Sequence, residues 1–382
     1  MAIKNICVIC DGYPTRYNET NTFVKQLVIA FTDLDISCTV IAPSSVTSAL
    51  FNRKKTVAEF EIEKTRNGKD ILIHRPRYIS FSSKNIFGFN TFKFTNFFFT
   101  RAVKKQFKKL NNRFDIIYAH VLLPAGLAAA SIDKSIPVFY ANGESKFLAH
   151  KIYNLRKVQA IMQRFSGIIS VSSLNKQTLI DLKLVDTDKI IVLPNGINSN
   201  IFYKRDKHSI RDELGINQND FVVAYVGHFN DRKGSERLSK ALECLPDVKS
   251  IFIGSGDKVP TCKNQLYCGT LPHYDIPKYL SAADIFVLPT RAEGCCNAII
   301  EAMACGLPII SSDKPFNDDI LNKKNSIRVD VDNIDAIKQA ILQLKEDSKL
   351  RNNMSNEAIL SASKLNIKTR AQKIIEFINS KI

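Results

Sequence analysis

The sequence predicts an α/β protein of two Rossmann-like domains, each a parallel sheet with helices on both faces. Three observations carry this. The chain has 382 residues, and two domains of about 150–200 residues are the expectation at that length. Short, nearly continuous runs of Val, Ile, Leu and Phe alternate with helical patterns throughout, as parallel strands buried on both faces require. The alternation then restarts after about residue 200, which makes two sheets rather than one large one.

The strand candidates of the first series are IKNICVIC (3–10), ISCTVIA (36–42), DIIYAH (115–120), PVFYAN (137–142), GIISVSS (167–173) and KIIVLPN (189–195). The second series runs FVVAYVG (221–227), VKSIFIG (248–254), QLYCG (265–269), DIFVLP (284–289) and LPIISS (307–312). The join lies near Pro194-Asn195-Gly196, which divides the chain into domains 1–195 and 196–365. The tail, 333–382, is charged and helix-forming, with a break near Lys364–Asn366.

Composition is ordinary for a soluble globular protein, 45% hydrophobic and 24% charged. No run approaches the roughly 18 apolar residues that span a bilayer. The N-terminal MAIKNICVICDGYP has a short apolar stretch before Asp11, too short for a signal-peptide core, and reads as a first buried strand. Nine cysteines are scattered without the paired spacing of a disulfide framework. Cys7 and Cys10 form a CxxC inside a strand rather than at a turn, where buried, reduced thiols are expected instead of zinc. The expected compartment is cytoplasmic.

The net charge of +17 is uneven. Residues 1–196 carry 28 Lys and Arg against 14 Asp and Glu. From Ile71 to Phe114 there are ten Lys and Arg and no acidic residue. Such asymmetry points to an anionic partner for the first half.

Ligands in parallel α/β sheets sit beyond the carboxyl ends of strands, where loops lead into helices. In the second half DIFVLP delivers the chain to TRAEGCCNAIIEAMACG (290–306). Gly294 allows close approach of a ligand, Asn297 is placed to cap the helix running through Ala298–Cys305, and Gly306 ends it. The amides of Gly294, Cys295, Cys296 and Asn297 would then form an anion site at a helix N-terminus. Glu293 stands just before it, and Glu301 one turn after Asn297 on the same face. A phosphate at the amides, flanked by carboxylates that accept from sugar hydroxyls, is what a nucleotide-sugar site requires.

The pattern E-G-x-x-N-x-x-x-E-A-M-A-C-G-x-P resembles the E-x7-E motif of the retaining family-four glycosyltransferases, which have the GT-B fold: two Rossmann-like domains facing each other across a cleft. FVVAYVGHFNDRKG (221–234) is similar to that family's V-G-R-x-x-x-x-K-G loop, IFIGSGD (251–257) to its glycine-rich turn, LSAADIFVLPT (280–290) to the strand entering the E-x7-E loop, DIIYAHVLLPAG (115–126) to its first-domain strand and LPNGIN (193–198) to its interdomain junction. The resemblance covers most of 115–320.

It implies transfer of a sugar from a nucleoside-diphosphate sugar to an acceptor hydroxyl, with a lipid-linked saccharide in bacterial surface polysaccharide or cell-wall synthesis as the expected acceptor. Glu293 would meet the donor sugar, Glu301 the ribose, Lys233 the pyrophosphate and His120 the sugar beside the scissile bond. His228, Arg232, Gly254 and Gly256 would complete the donor site. The final helix, 366–382, would return to the first domain. No cofactor and no metal are implied, since cations and amides stabilise the leaving diphosphate. The leaving phosphate would itself help deprotonate the acceptor, so the pair differs from a glycosidase's two carboxylates.

The chain departs from the family pattern in places. His228 stands where arginine is usual, with Arg232 near enough to compensate. The usual glycine pair after the first strand is absent, and PTRYNETNTFVKQL (14–27) takes its place, with Asn21 or Thr22 at the helix start as the first-domain phosphate contact. Asn198 replaces the junction aspartate. The triplets DLD (33–35), DTD (186–188) and DVD (330–332) mimic a metal-binding DxD but do not follow strands as that motif must, and read as turn or cap residues.

The segment 84–110 combines eight phenylalanines with seven basic residues. Phe94, Phe97, Phe98 and Arg101 share a helical spacing, and Lys104, Lys105, Lys108 and Lys109 give a cationic face. It reads either as a helix packed on the first sheet with a solvated basic edge, or as an interfacial element gripping anionic lipid. One helix can do both, and the second reading makes the protein peripheral on the inner face of the cell membrane. Nucleic-acid binding through stacked phenylalanines is the lesser alternative, and nucleic acid is not an expected partner. The rival functions are a GT-B nucleotide-sugar epimerase, and a basic nucleic-acid-binding protein with a degenerate sugar site. The intact set Lys233, Glu293 and Glu301 argues against the latter.

Overall fold

The computed structural model describes residues 3–17, 21–51, 57–87, 89–110 and 113–382. The chain divides into two compact units, Met1–Leu193 with Ile367–Ile382, and Pro194–Asn366.

The first unit holds an eight-stranded sheet in the order Ile190–Val192, Phe165–Ser170, Val138–Asn142, Ile116–His120, Asn5–Ile9, Ser37–Ile41, Asp70–His74, Phe60–Lys64. Every pairing is parallel except the last, where Phe60–Lys64 runs antiparallel to Asp70–His74. All six strand candidates of the first series are strands. The hairpin 60–74 was not among them. Its edge strand FEIEK alternates apolar and charged residues and is exposed along almost its whole length, so it lacks the continuous apolar run of a strand buried on both faces.

Helix Thr22–Thr32 buries Val24, Leu27, Val28 and Phe31, the 3–4 spacing of one apolar stripe. That stripe shares a core with Ile367, Ala371, Ile374 and Ile378 of the last helix, Ile367–Asn379. Each such fully buried aliphatic side chain contributes roughly 1.5–3 kcal/mol. The tail breaks at 364–366, and also at Asp347, whose carboxylate accepts from the Leu350 amide at 2.8 Å and caps helix Ser348–Ser363. Cys7 and Cys10 are buried, unbonded thiols in and beside the central strand, and burial pushes both well above the ordinary thiol range.

The segment after Tyr78 forms a small hairpin, Asn85–Ile86 with Phe89–Asn90, and then helix Phe92–Leu110. This helix buries Thr95, Asn96, Phe99, Ala102 and Val103 and exposes Phe94 and Phe97. Among the described residues no helix is long and apolar enough to cross a membrane.

The second unit is a six-stranded, fully parallel sheet in the order Gln265–Gly269, Val248–Ile253, Phe221–Val226, Ile285–Leu288, Ile309–Ser312, Ser326–Val329. All five candidates of the second series are strands; the short edge strand SIRV (326–329) was not foreseen. Asp284, at the head of Ile285–Leu288, accepts from the Val222 amide at 2.7 Å, Arg211 at 2.9 Å and Lys207 at 2.7 Å. Arg211 is itself buried and donates to the carbonyls of Ala282, Gln218 and Asp220. This knot fixes Ile285–Leu288 beside Phe221–Val226.

Each sheet reverses its strand order once near the centre. The reversal falls between Asn5–Ile9 and Ile116–His120 in the first unit, and between Phe221–Val226 and Ile285–Leu288 in the second. Carboxyl ends at such a reversal open a crevice between diverging loops, the place where ligands bind in sheets of this kind. Both candidate site regions lie there.

Candidate active site

In the second unit the loops after the two central strands meet. Lys233 follows the loop from Phe221–Val226, and its amide donates to Asn230 Oδ1 at 2.9 Å. Gly234, at φ +81°, turns the chain into helix Ser235–Glu243; a Cβ there would fall 2.3 Å from the Pro289 carbonyl, so only glycine permits the approach. The loop from Ile285–Leu288 brings Thr290 and Glu293 to the same point. Glu293 is 7% exposed. Its Oε1 accepts from Lys233 Nζ at 2.8 Å, Arg232 Nη1 at 3.1 Å and Thr290 Oγ1 at 2.7 Å. Burial works against the Lys233 charge, while the Glu293 carboxylate at 2.8 Å favours it; the balance leaves the amine above its ordinary value and cationic.

Gly254 and Gly256 form the turn after Val248–Ile253. A Cβ on Gly254 would lie 2.0 Å from the Gly227 carbonyl and one on Gly256 2.2 Å from that of Phe229. The turn is thus laid directly on the 227–229 loop, and His228 Nδ1 lies 3.1 Å from the Ser255 carbonyl. His228 is exposed beside this turn and takes no part in the Glu293 cluster.

Helix Asn297–Ala304 begins right behind Glu293. Its cap residue is Cys296, whose side chain makes no capping bond. Asn297 is therefore the first helical residue rather than the cap expected from the sequence. Its Oδ1 instead accepts from Asn195 Nδ2 at 2.8 Å, while the Asn195 amide donates to Cys295 Sγ at 3.4 Å. The junction Pro194-Asn195 is thereby tied to the helix start. Cys296 is buried, and burial raises its thiol to about 11. It is a neutral neighbour 3.8 Å from Lys233 Nζ. Glu301 lies one turn into the helix, with His273 Nε2 at 3.1 Å from its Oε1. Two cations and a helix N-terminus at one sheet crevice make a site that stabilises an anion.

In the first unit His120 ends its strand 6% exposed. Its ring packs on Phe23 with centroids 5.0 Å apart, which places Asn21 and Thr22, at the start of that helix, beside the same crevice. Asn21 adopts φ +64° and donates from Nδ2 to the Gly12 carbonyl at 3.3 Å. Burial first, and the Arg370 guanidinium second, lower His120 to about 3, so it is neutral. The chain leaves His120 through Val121 at φ +64°, ψ +151°, a region costly for a β-branched residue. The next amide, Leu122, donates to Glu144 Oε1 at 2.6 Å, and Tyr140 Oη donates to the same carboxyl at 2.7 Å. Burial raises the Glu144 carboxyl.

Glu144, Thr290 and His273 were not foreseen. Glu144 carried a usable signal, since NGE follows a strand at the carboxyl edge. Thr290 and His273 carried none, because only the folded chain brings them to Glu293 and Glu301. The first unit also holds a cavity of about 770 Å³, lined by Asp11, Asn21, Ser44, Ser45, Arg75 and Arg77 among others.

Known proteins agree with this layout. Over 99% of this chain and 98% of theirs, the fold matches sucrose-phosphate synthase from Thermosynechococcus elongatus with a TM-score of 0.78 at 17% identity. It matches Anabaena HepE, solved in complex with UDP, at 0.73 and 17% over 99% and 100% of the two chains. The protein thus has the GT-B fold. Residues 20–200 match the family model described as Glycosyltransferase Family 4, and residues 206–361 that of Glycosyl transferases group 1. The chain belongs to the family-four glycosyltransferases. TuaC of Bacillus subtilis (strain 168), a glycosyltransferase assigned to teichuronic acid biosynthesis, is 27% identical over 89% of this chain and 88% of its own. An Escherichia coli UDP-Gal:alpha-D-GlcNAc-diphosphoundecaprenol alpha-1,3-galactosyltransferase is 28% identical over 54% of this chain and 58% of its own.

Proposed function

We propose that the protein transfers a sugar from a nucleoside-diphosphate sugar to a hydroxyl of a lipid-linked saccharide, with retention at the anomeric carbon, in bacterial surface-polysaccharide or cell-wall synthesis. The observation that carries the reading is the Lys233–Glu293–Arg232 cluster at the head of helix Asn297–Ala304. The bond from the anomeric carbon to the diphosphate oxygen breaks, the acceptor oxygen bonds to that carbon, and the acceptor proton passes to the leaving diphosphate. Lys233, Arg232 and the amides of Gly294–Asn297 take up the charge that develops there, so the step as drawn requires no metal. Glu293 orients the donor sugar, Glu301 accepts from the ribose, and the turn at Gly254 and Gly256 with His228 flanks the nucleotide. Neutral His120 contacts the sugar by hydrogen bonding. Asn21, Thr22 and the cavity carrying Arg75 and Arg77 suit a polar acceptor with an anionic end. Support for a lipid-linked saccharide comes from the named substrate of the Escherichia coli relative, and for cell-surface polymer synthesis from TuaC.

The test is thermal stabilisation by UDP, GDP and ADP, run beside Lys233→Ala. A ligand bound only by the folded state stabilises by about 2.7 kcal/mol at a hundredfold excess over its dissociation constant. One nucleotide should raise the melting temperature of the wild type, and the variant should lose most of that rise. Stabilisation by none, or equally in the variant, would remove the donor site from this cluster.

A further inference from the structure

The first unit carries an aromatic face that none of its described residues covers. Phe94 and Phe97, on helix Phe92–Leu110, are 47% and 59% exposed, and Phe87, at the tip of the small hairpin, is wholly so. Phe81 and Phe89 join them: the Phe89 and Phe94 rings lie 5.1 Å apart and those of Phe81 and Phe94 5.6 Å. The core does not require these rings, because the helix already buries a separate face of Thr95, Asn96, Phe99, Ala102 and Val103. A contiguous patch of exposed aromatics marks an interaction surface.

What the patch would meet is set by charge. Lys84, Arg101, Lys104, Lys105, Lys108 and Lys109 are exposed around and along it. Among the described residues none of these six takes part in an ion pair. No acidic residue occurs between Ile71 and Phe114 to neutralise them. A neighbouring stretch has the same character: Tyr153 Oη accepts from Asn96 Nδ2 at 2.9 Å, and close to it in sequence Leu148 and Leu155 are exposed beside Lys151, Arg156 and Lys157. Apolar rings at a projecting tip, backed by unpaired cations, complement a bilayer whose headgroups are negative and whose acyl boundary accepts aromatics. Single-stranded nucleic acid would need separated rings along a basic groove, whereas these rings pack on one another.

We propose that this face, hairpin tip and outer side of helix Phe92–Leu110, seats the protein on a membrane surface carrying anionic lipid. The helix joins two parallel strands of one sheet, so it runs back from their carboxyl ends, and its phenylalanine-rich start lies at the same edge as His120. The cavity is lined by Tyr78 and Ser80, and Phe81 follows directly. A substrate anchored in lipid would thus meet the cavity at the membrane. Docking does not rest on the identity of the donor.

The experiment is sedimentation of the full chain with vesicles of phosphatidylcholine alone, or of phosphatidylcholine mixed with phosphatidylglycerol. Two double variants run beside it, Phe87→Ser with Phe97→Ser, and Lys104→Glu with Lys108→Glu. All four side chains are exposed, so melting temperatures and nucleotide stabilisation should be unchanged. The wild type should bind the anionic vesicles and not the neutral ones, and each variant should bind about tenfold more weakly or worse. Equal binding to both vesicles, undiminished binding by both variants, or capture by a poly(U) oligonucleotide in place of vesicles would overturn the proposal. Vesicle binding lost with nucleotide stabilisation intact separates this face from the donor site.

Discussion

The two crevices occupy equivalent places in their sheets and hold opposite electrostatics. In the second unit, Glu293, Lys233 and Arg232 lie within hydrogen-bonding distance, all charged. In the first unit, His120 is held neutral by burial and by Arg370, and the buried carboxyl of Glu144 is spent on Tyr140 and the Leu122 amide. The strand order decides where a crevice opens, and the loop residues decide whether it offers charge. A charged crevice suits a diphosphate, whose charge grows as the sugar departs. The neutral imidazole of His120 suits sugar hydroxyls, to which it can hydrogen-bond.

That contrast breaks most visibly in acid. His120 sits at about 3 in the folded protein, against about 6.5 in an unfolded chain. Between those values the unfolded chain takes up a proton that the folded one refuses, so stability falls as pH drops from 6.5 toward 3. The full span amounts to about 5 kcal/mol. His120→Asn should flatten the acid limb of denaturant-unfolding stability by up to about 1.4 kcal/mol per pH unit. An unchanged slope would mean that His120 is protonated in the fold, and the contrast between the crevices would go.

Glu293→Gln probes the opposite crevice. It leaves Lys233, whose side chain is 14% exposed, without its carboxylate. Breaking a desolvated pair costs about 3 kcal/mol, with the partial exposure of Arg232 lowering the figure. Adding Lys233→Met should recover part of that loss, since the stranded charge is then gone. Unfolding curves of the two variants, with additive losses, would show that the cluster is solvated rather than paired.

The two crevices were unequally legible in the sequence. Strands buried on both faces announce themselves by composition, and all eleven candidates are strands. The edge strands Phe60–Lys64 and Ser326–Val329 escaped because an edge strand shows solvent on one side and carries charge there. In the second unit the carboxylates stand in an otherwise small, apolar stretch, and Lys233 precedes a glycine that the turn requires, so local sequence exposed the cluster. In the first unit His120, at a strand end, and Asn21 or Thr22, at a helix start, were visible. What surrounds His120, the Glu144 carboxyl on the following Leu122 amide and the Arg370 charge that helps keep the ring neutral, depends on strand pairing and on where the tail returns. Asn297 was misplaced by one residue for a related reason: its carboxamide oxygen is engaged by Asn195, far away in sequence, and so does not cap.

Glu301 lies between these extremes, and its variant should have the smallest effect. It touches His273 at 3.1 Å, its one ion-pair partner among the described residues. Glu301→Gln preserves shape and one acceptor, so folding should change little, with a melting temperature near that of the wild type. If the carboxylate accepts from the ribose, the nucleotide that stabilises the wild type should bind roughly tenfold more weakly, about the worth of one hydrogen bond to a charged group. Isothermal titration with that nucleotide decides it. Equal affinity together with an equal melting temperature would take Glu301 out of the donor site, and would leave the charged crevice resting on Glu293, Lys233 and Arg232 alone.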